Sequence, residues 1–433
     1  MADLAPSGDR KVIWSWCLYD WANSAFTTLV VTFVYSAYFS QTFADDPGRG
    51  TLLWSRGVTV SALLIAVCAP LVGALADQGY RRRYFIGCTV LCCLMTVVLA
   101  FIRPSADNAV LIAMFVFVIA NVSYELGLIF YNAFLPEIAP KNRIGRVSGY
   151  GWGLGYAGGL VCLAVALPFA TLDPPPFGVS TVEGFNVRAT NLLVAAWFLV
   201  FSIPSFLFVG KSDIHHSEVN LGAALTKLKR TFYDLRRHRQ TMRFLVARLV
   251  YNDGLITIFA FGGIYAVGTF RFTISEVMMF GIALNLVAGL GAFLFGFVDD
   301  RWGGKKTIML SLVFLALSTL LAAVAQTRLW FWVAGIGIGF FLGPNQSASR
   351  SLMGRFVPKK HRSEFFGFFA FSGKITAFAG PLLLGILSDV YSQRVGVASV
   401  LLFFVVGGIL LLRVDDGRDE WSGSASGGGA HAA

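Results

Sequence analysis

Gly296-Phe-Val-Asp-Asp300-Arg-Trp-Gly-Gly-Lys-Lys306 decides the fold. A small residue is followed four positions on by an acid, then by a cluster of bases, between runs that are otherwise apolar. An earlier stretch, Gly73-Ala-Leu-Ala-Asp77-Gln-Gly-Tyr-Arg81-Arg-Arg83, follows the same scheme. Pro140, Gly149 and Gly155 are likewise spaced like Pro358, Gly367 and Gly373. Offsets of 218 to about 233 residues hold throughout, so the chain reads as a parallel duplication. Such repeats mark membrane folds made of two bundles with a site between them.

Working outward from these loops, the 433 residues are 56% hydrophobic and only 14% charged. A soluble domain carries roughly 25% charged residues, so the class is integral membrane protein, and the helix-length apolar runs below make its fold class all-α. A spanning helix needs about 20 apolar residues. Twelve runs qualify: about 14–39, 54–76, 84–102, 109–134, 149–171, 191–209, 244–268, 276–298, 307–325, 330–353, 364–388 and 396–412. The longest inner gap divides them six and six. The expected organisation is an N-terminal bundle over 1–210, a linker over 211–243, a C-terminal bundle over 244–413 and a disordered tail over 414–433. In the linker, Leu221, Leu225, Leu228, Phe232 and Leu235 recur at three and four residues among Lys227, Lys229, Arg230, Arg236 and Arg237. This predicts either a basic amphipathic helix on the anionic inner leaflet or a solvated linker helix. His215-His216 there is read as a surface pair. Pro174-Pro175-Pro176 predicts a stiff outer connection over 172–190.

The net charge of +11 could suggest nucleic acid, but the bases fall in short gaps on alternate sides. Arg10, Lys11, Arg81 to Arg83, Lys141, Arg143, Arg146, Arg301, Lys305, Lys306, Lys359, Lys360 and Arg362 share one side. Arg49, Arg103, Arg188, Arg271, Arg328 and Arg394 fall on the other. That is the positive-inside pattern, which places both termini in the cytoplasm and removes the argument for a nucleic-acid partner. All six cysteines lie in apolar runs without the spacing of a zinc site or disulfide framework, so neither metal nor cofactor is expected. No zincin, nucleophile-elbow or phosphate-loop motif occurs, which argues against an enzyme and against nucleotide-driven transport.

With the paired loops and the six-plus-six plan, the chain resembles the major facilitator superfamily. Its first loop departs from the usual pattern, with Gln78 where arginine is common and Gly79 one position early. Narrower motifs are similar to those of the vacuole-effluxer-like family: Leu18-Tyr-Asp-Trp-Ala-Asn-Ser-Ala-Phe26, Tyr131-Asn-Ala-Phe-Leu-Pro-Glu-Ile138, Tyr251-Asn-Asp-Gly254 and Ser347-Ala-Ser-Arg-Ser351. Glu364-Phe-Phe-Gly367 and Ser372-Gly-Lys374 with Gly380-Pro381 match it too. The resemblance implies alternating access by a monomer in a bacterial inner membrane. The family's fungal namesake is similar to a vacuolar amino-acid exporter.

Six ionisable residues fall inside spans: Asp20, Glu125, Arg248, Asp253, Arg350 and Lys374. A charge in the bilayer costs at least about 2.5–3.5 kcal/mol on insertion scales, so each is expected to face a cavity or a partner. At 1.5 Å per residue, Asp253 and Lys374 fall near the midplane, and the other four toward the cytoplasmic side. Asp253 is read as the counterpart of Asp20 in the other half. One reading makes Asp20, Glu125 and Asp253 proton sites, with Arg350 and Lys374 binding an anionic group. The other pairs acids with bases, Arg248 included, as gates. Tyr19, Asn23, Tyr124, Asn252, Asn345 and Gln346 complete the substrate-binding candidates. Gly73, Asp77 and Arg81, with Gly296, Asp300, Arg301 and Lys305, are expected to be conformational latches holding loop bases or a helix end. The glycines from 149 to 159 predict close, sliding contact of the fifth helix, with Trp152 and Tyr156 lining the cavity or facing lipid. The expected activity is proton-coupled transport of amino acids or similar small zwitterionic or anionic solutes. The alternatives are an exporter or flippase of a larger amphiphile, or a non-transporting sensor.

Overall fold

The computed structural model describes residues 8–44, 46–210 and 238–415. The amphipathic linker helix, His215-His216 and nearly all of the tail, as expected from sequence, lie outside the described residues. Within them every regular element is helical. In hydrocarbon each backbone N–H and C=O must be satisfied inside its own segment, and helices do this.

The first half comprises α1 (Arg10–Ala25), a π-helical stretch (Phe26–Phe33), α2 (Tyr35–Thr42), α3 (Pro47–Ala76), α4 (Arg81–Phe101), α5 (Ala109–Ile138), α6 (Ile144–Thr171), the short α7 (Phe185–Arg188) and α8 (Thr190–Phe208). The second comprises α9 (Arg239–Phe270), α10 (Ile274–Trp302), α11 (Gly304–Val324), α12 (Arg328–Phe356), α13 (Arg362–Ser372), α14 (Ala379–Val390) and α15 (Gln393–Leu412). Caps fix several starts: Asp9 accepts from Lys11 N at 2.9 Å, and Thr273 and Glu276 form a reciprocal capping box.

Among the described residues nine helices are long and apolar enough to cross a membrane. The other three expected spans depart for a physical reason. The first is split by the π-helical stretch, the eleventh is broken between Ser372 and Ala379, and the tenth, α12, is unbroken but carries Asn345, Gln346 and Arg350. A wide π turn or a break frees backbone groups, which is tolerated only where protein or a cavity lies alongside. The three departing spans are the ones that carry Asp20, Lys374 and Arg350.

Each half is a six-helix bundle. In the first, α1 packs on α6 and α8, and α4 on α5 and α8; in the second, α9 packs on α15, and α12 on α10 and α11. Large apolar side chains such as Val67 (76% exposed) and Leu286 (63%) face outward, as a lipid-facing surface requires. The halves meet through α6 against α10 and α3 against α13. Both contacts need glycine. A Cβ built on Gly149 would stand 2.5 Å from the carbonyl oxygen of Ala292, and one on Gly367 would stand 2.5 Å from that of Ala69. The duplication also appears at the opposite end. Arg188 donates to the carbonyls of Ala100 and Ile102 at the end of α4. Arg394 donates to those of Ala323 and Ala325 at the end of α11. Each cation thus closes a helix C-terminus.

Candidate functional site

The end of the molecule where the first and last described residues, Gly8 and Asp415, lie is shut by two reciprocal contacts. Asp77, capping the end of α3, accepts backbone N–H from Ser363 and Glu364 at 3.0 Å each, in the first turn of α13. Asp300, near the end of α10, accepts from Gly145 N at 2.8 Å and Arg146 N at 3.3 Å, in the first turn of α6. Each carboxylate therefore sits on a helix N-terminus of the opposite half, where the unsatisfied N–H groups and the dipole favour negative charge. Gly73 and Gly296 leave room for the same two backbones to approach.

Side chains reinforce both contacts. Arg81 is 6% exposed; it pairs with Asp77 at 3.2 Å and with Glu137, and donates to Ser363 Oγ at 2.8 Å. Arg362 of the other half also pairs with Glu137. Around Asp300 the bases differ from those expected. Arg146 pairs with it at 2.6 Å, while Arg355 pairs with the neighbouring buried Asp299 at 2.6 Å. Arg301 is exposed, and Lys305 donates to the carbonyl of Leu412 at the end of α15. Glu137 and Arg355 are 218 residues apart and play inverse parts in the two latches. Neither stood out in sequence as part of a latch, because each is a single charge at a helix end.

Beyond the latches lies a cavity of about 510 Å³ between the halves, within the 300–1,000 Å³ usual for small-molecule sites. Five of the six intramembrane charges line it: Asp20, Glu125, Arg248, Arg350 and Lys374. Four of them pair across the halves. Arg350 Nη1 meets Asp20 Oδ2 at 2.9 Å, and Lys374 Nζ meets Glu125 Oε1 at 2.6 Å. The first pair is deeply set. Arg350 is 3% exposed; it also donates to Ser148 Oγ at 3.0 Å and Ser148 O at 2.7 Å, and lies against the rings of Trp16, Tyr131 and Trp152. Gly151 makes room for it, since a Cβ there would stand 2.5 Å from Asp20 Oδ2 and 2.8 Å from Arg350 Nη2. Arg248 has no carboxylate partner among the described residues. It donates to Phe369 O at 2.7 Å and Ser372 Oγ at 2.8 Å, over the ring of Phe369.

Of the polar candidates, Asn23, Tyr124, Asn252 and Gln346 line the cavity. Tyr124 donates to Asn23 at 3.2 Å, and Tyr156 donates to Gln346 across the halves at 2.6 Å. Trp152 and Tyr156 line it too, rather than facing lipid. Three of the sequence candidates do not line it. Tyr19 is buried within its own bundle, bonded to Thr89 at 2.8 Å and packed against the tilted rings of Phe85, Tyr131 and Phe198. Asn345 is buried against Ser311 at 2.9 Å. Asp253 points into its own half, where Gly380 N donates to it at 3.1 Å. One residue along a helix turns a side chain by about 100°, so Asn252, not Asp253, presents itself to the cavity as Asp20 does.

Comparison with known proteins agrees with this architecture. The family model described as "Vacuole effluxer Atg22 like" matches residues 53–421. The chain is 28% identical to an uncharacterised major-facilitator-type transporter, YxiO, of Bacillus subtilis strain 168, over 93% of this chain and 94% of that one. It is 23% identical to Autophagy-related protein 22-1 of Penicillium rubens, over 64% of this chain and half of that one. Among solved structures, the human organic anion transporter MFSD10 superposes with a TM-score of 0.74 at 14% identity, covering 93% of this chain and 99% of that one. The chain is thus a multi-pass membrane transporter belonging to the vacuole-effluxer-like family of the major facilitator superfamily.

Proposed function

We propose that this transporter works by alternating access, couples movement of its solute to protons through Glu125, and carries an amino acid or a similar small zwitterionic or anionic solute. In this reading it sits in a bacterial inner membrane with both termini in the cytoplasm. The latched end is then the cytoplasmic one, and the described state faces outward.

The observation that carries the reading is the Glu125–Lys374 pair. Its members come from opposite halves and meet at 2.6 Å. Their side chains keep 20% and 28% of their exposure, on the wall of the cavity. A proton taken up by Glu125 from the cavity cancels the carboxylate's charge and releases Lys374. The freed ammonium can then hold a solute carboxylate, and loss of the proton restores the pair. Proton binding and solute binding are thereby linked through one contact. In this reading Asp20–Arg350 serves as a gate instead, and its 2.9 Å contact supports that role. Its hydrogen bonds are satisfied on both sides, and removing either partner would leave a buried charge alone.

Flux into proteoliposomes, for a panel of amino acids with and without a pH gradient, tests the reading. The wild type should show gradient-stimulated flux, and Glu125→Gln should keep exchange of solute while losing the stimulation. Stimulation that survives in Glu125→Gln would sink the assignment. The cavity's apolar lining residues (Leu128, Ile129, Leu160, Leu255, Ile256 and Phe259) support a second reading, export of a larger amphiphile. Movement of a labelled lipid but of no amino acid would establish that one in its place.

A further inference from the structure

Three bases and two acids line the cavity, and the two acids are each consumed by one base. The remaining base is Arg248. A lone guanidinium inside a bilayer is costly unless something neutralises it. Its present partners are neutral: the carbonyl of Phe369, the hydroxyl of Ser372 and the face of the Phe369 ring, 3.6 Å from the guanidinium carbon.

Both hydrogen bonds use Nη1 alone. The Nε and Nη2 groups make none among the described residues, and they form the edge of the guanidinium that meets a carboxylate with two parallel N–H···O bonds. Arg350 offers no such edge, because Ser148 occupies both its Nε and its Nη2. Lys374 is held by Glu125. Beside Arg248, Asn252 spends its amide nitrogen on Gly373 O at 3.1 Å, which leaves its oxygen free to accept.

A purely structural role for Arg248 would be to close the C-terminal end of α13 at the break. That role explains Nη1, and leaves unexplained both the open edge and the wall position. From these observations we infer that Arg248 is the anchor for a carboxylate on the transported solute, with Asn252 beside it to accept a donor from the same molecule. The solute is accordingly a carboxylate-bearing compound, bound against a cavity wall that carries one excess positive charge. This rests on the transport reading above and narrows it: the carboxylate docks on Arg248, and Lys374 joins it there once a proton on Glu125 has released the ammonium.

The test uses the purified full-length chain in detergent, with binding followed by thermal shift and by the fluorescence of its tryptophans, one of which, Trp152, lines the cavity. The probes are the common amino acids, their carboxamides, and small mono- and dicarboxylates. At least one carboxylate should bind, its carboxamide should bind at least tenfold more weakly, and Arg248→Gln should weaken the carboxylate at least tenfold. Arg248→Lys, which keeps the charge and loses the fork, should fall between. If Arg248→Gln does not fold, the Lys variant and the wild-type comparison of acid with amide still decide. Binding of no carboxylate, equal binding of acid and amide, or unchanged binding in either variant would each overturn the anchor. Gradient-driven flux of the same probe separates the two levels. Flux with binding insensitive to Arg248 refutes only the anchor. Arg248-dependent binding without flux refutes only the transport reading.

Discussion

Asp77 and Asp300 stand 223 positions apart in the chain and do the same thing to opposite halves. Each stands at or near the end of a helix of its own bundle and receives two backbone N–H groups from the first turn of a helix in the other. The closed end is thus held by two helix N-termini, each gripped by a foreign carboxylate. Such contacts either exist or do not, which suits a switch between two states better than a diffuse apolar interface would.

Neutralising either carboxylate should loosen that end. Asp77→Asn and Asp300→Asn each remove a charge from a helix N-terminus, worth about 0.3–1 kcal/mol at exposed sites and up to about 2 when partly buried. The population should move toward the state open at the terminal end. Spin labels at exposed Arg143 and Lys360, on opposite halves, would show longer distances in both variants, and unchanged distances would count against the latch.

Breaking the buried pair should cost more than replacing it. Arg350→Gln or Asp20→Asn leaves one charge buried and uncompensated, a loss of about 3–5 kcal/mol in comparable pairs. The double variant should recover much of that loss. A double-mutant cycle on thermal unfolding in detergent measures the coupling, and additive losses would mean that the 2.9 Å contact carries little energy.

Gly151 should tolerate no side chain. Gly151→Ala places a methyl against Asp20, Arg350 and Trp16, and overpacking of this kind typically costs about 1–3 kcal/mol. Gly87→Ala is the control. A Cβ there meets nothing within 4 Å, and alanine gains up to about 1 kcal/mol of helix propensity over glycine. The two unfolding temperatures should move in opposite directions.

Asp253 should matter for stability rather than coupling. Its carboxylate accepts Gly380 N at the start of α14 and does not line the cavity. Asp253→Asn keeps an acceptor and should leave gradient-driven flux intact. Asp253→Ala leaves the Gly380 amide without its partner, at a cost of about 1–3 kcal/mol. Loss of pH-gradient stimulation in Asp253→Asn with normal folding would return Asp253 to the proton path.

By itself the sequence determined what depends on local pattern. Apolar run length gave the membrane class and the twelve spans, and recurrence of Gly-x-x-x-Asp with bases gave the duplication and both latch carboxylates. The six intramembrane charges were equally legible, because a charge in a lipid-length run is conspicuous wherever it points. Only the tertiary structure decided where each one points. These helices are apolar nearly all round, so periodicity marks no inner face. Nothing in the chain therefore told Asn252 from Asp253, or showed that Tyr19 turns inward while Asp20 meets Arg350. The latch partners Arg146, Arg355 and Glu137 also came from folding, since each is an ordinary charge until the opposite half arrives beside it.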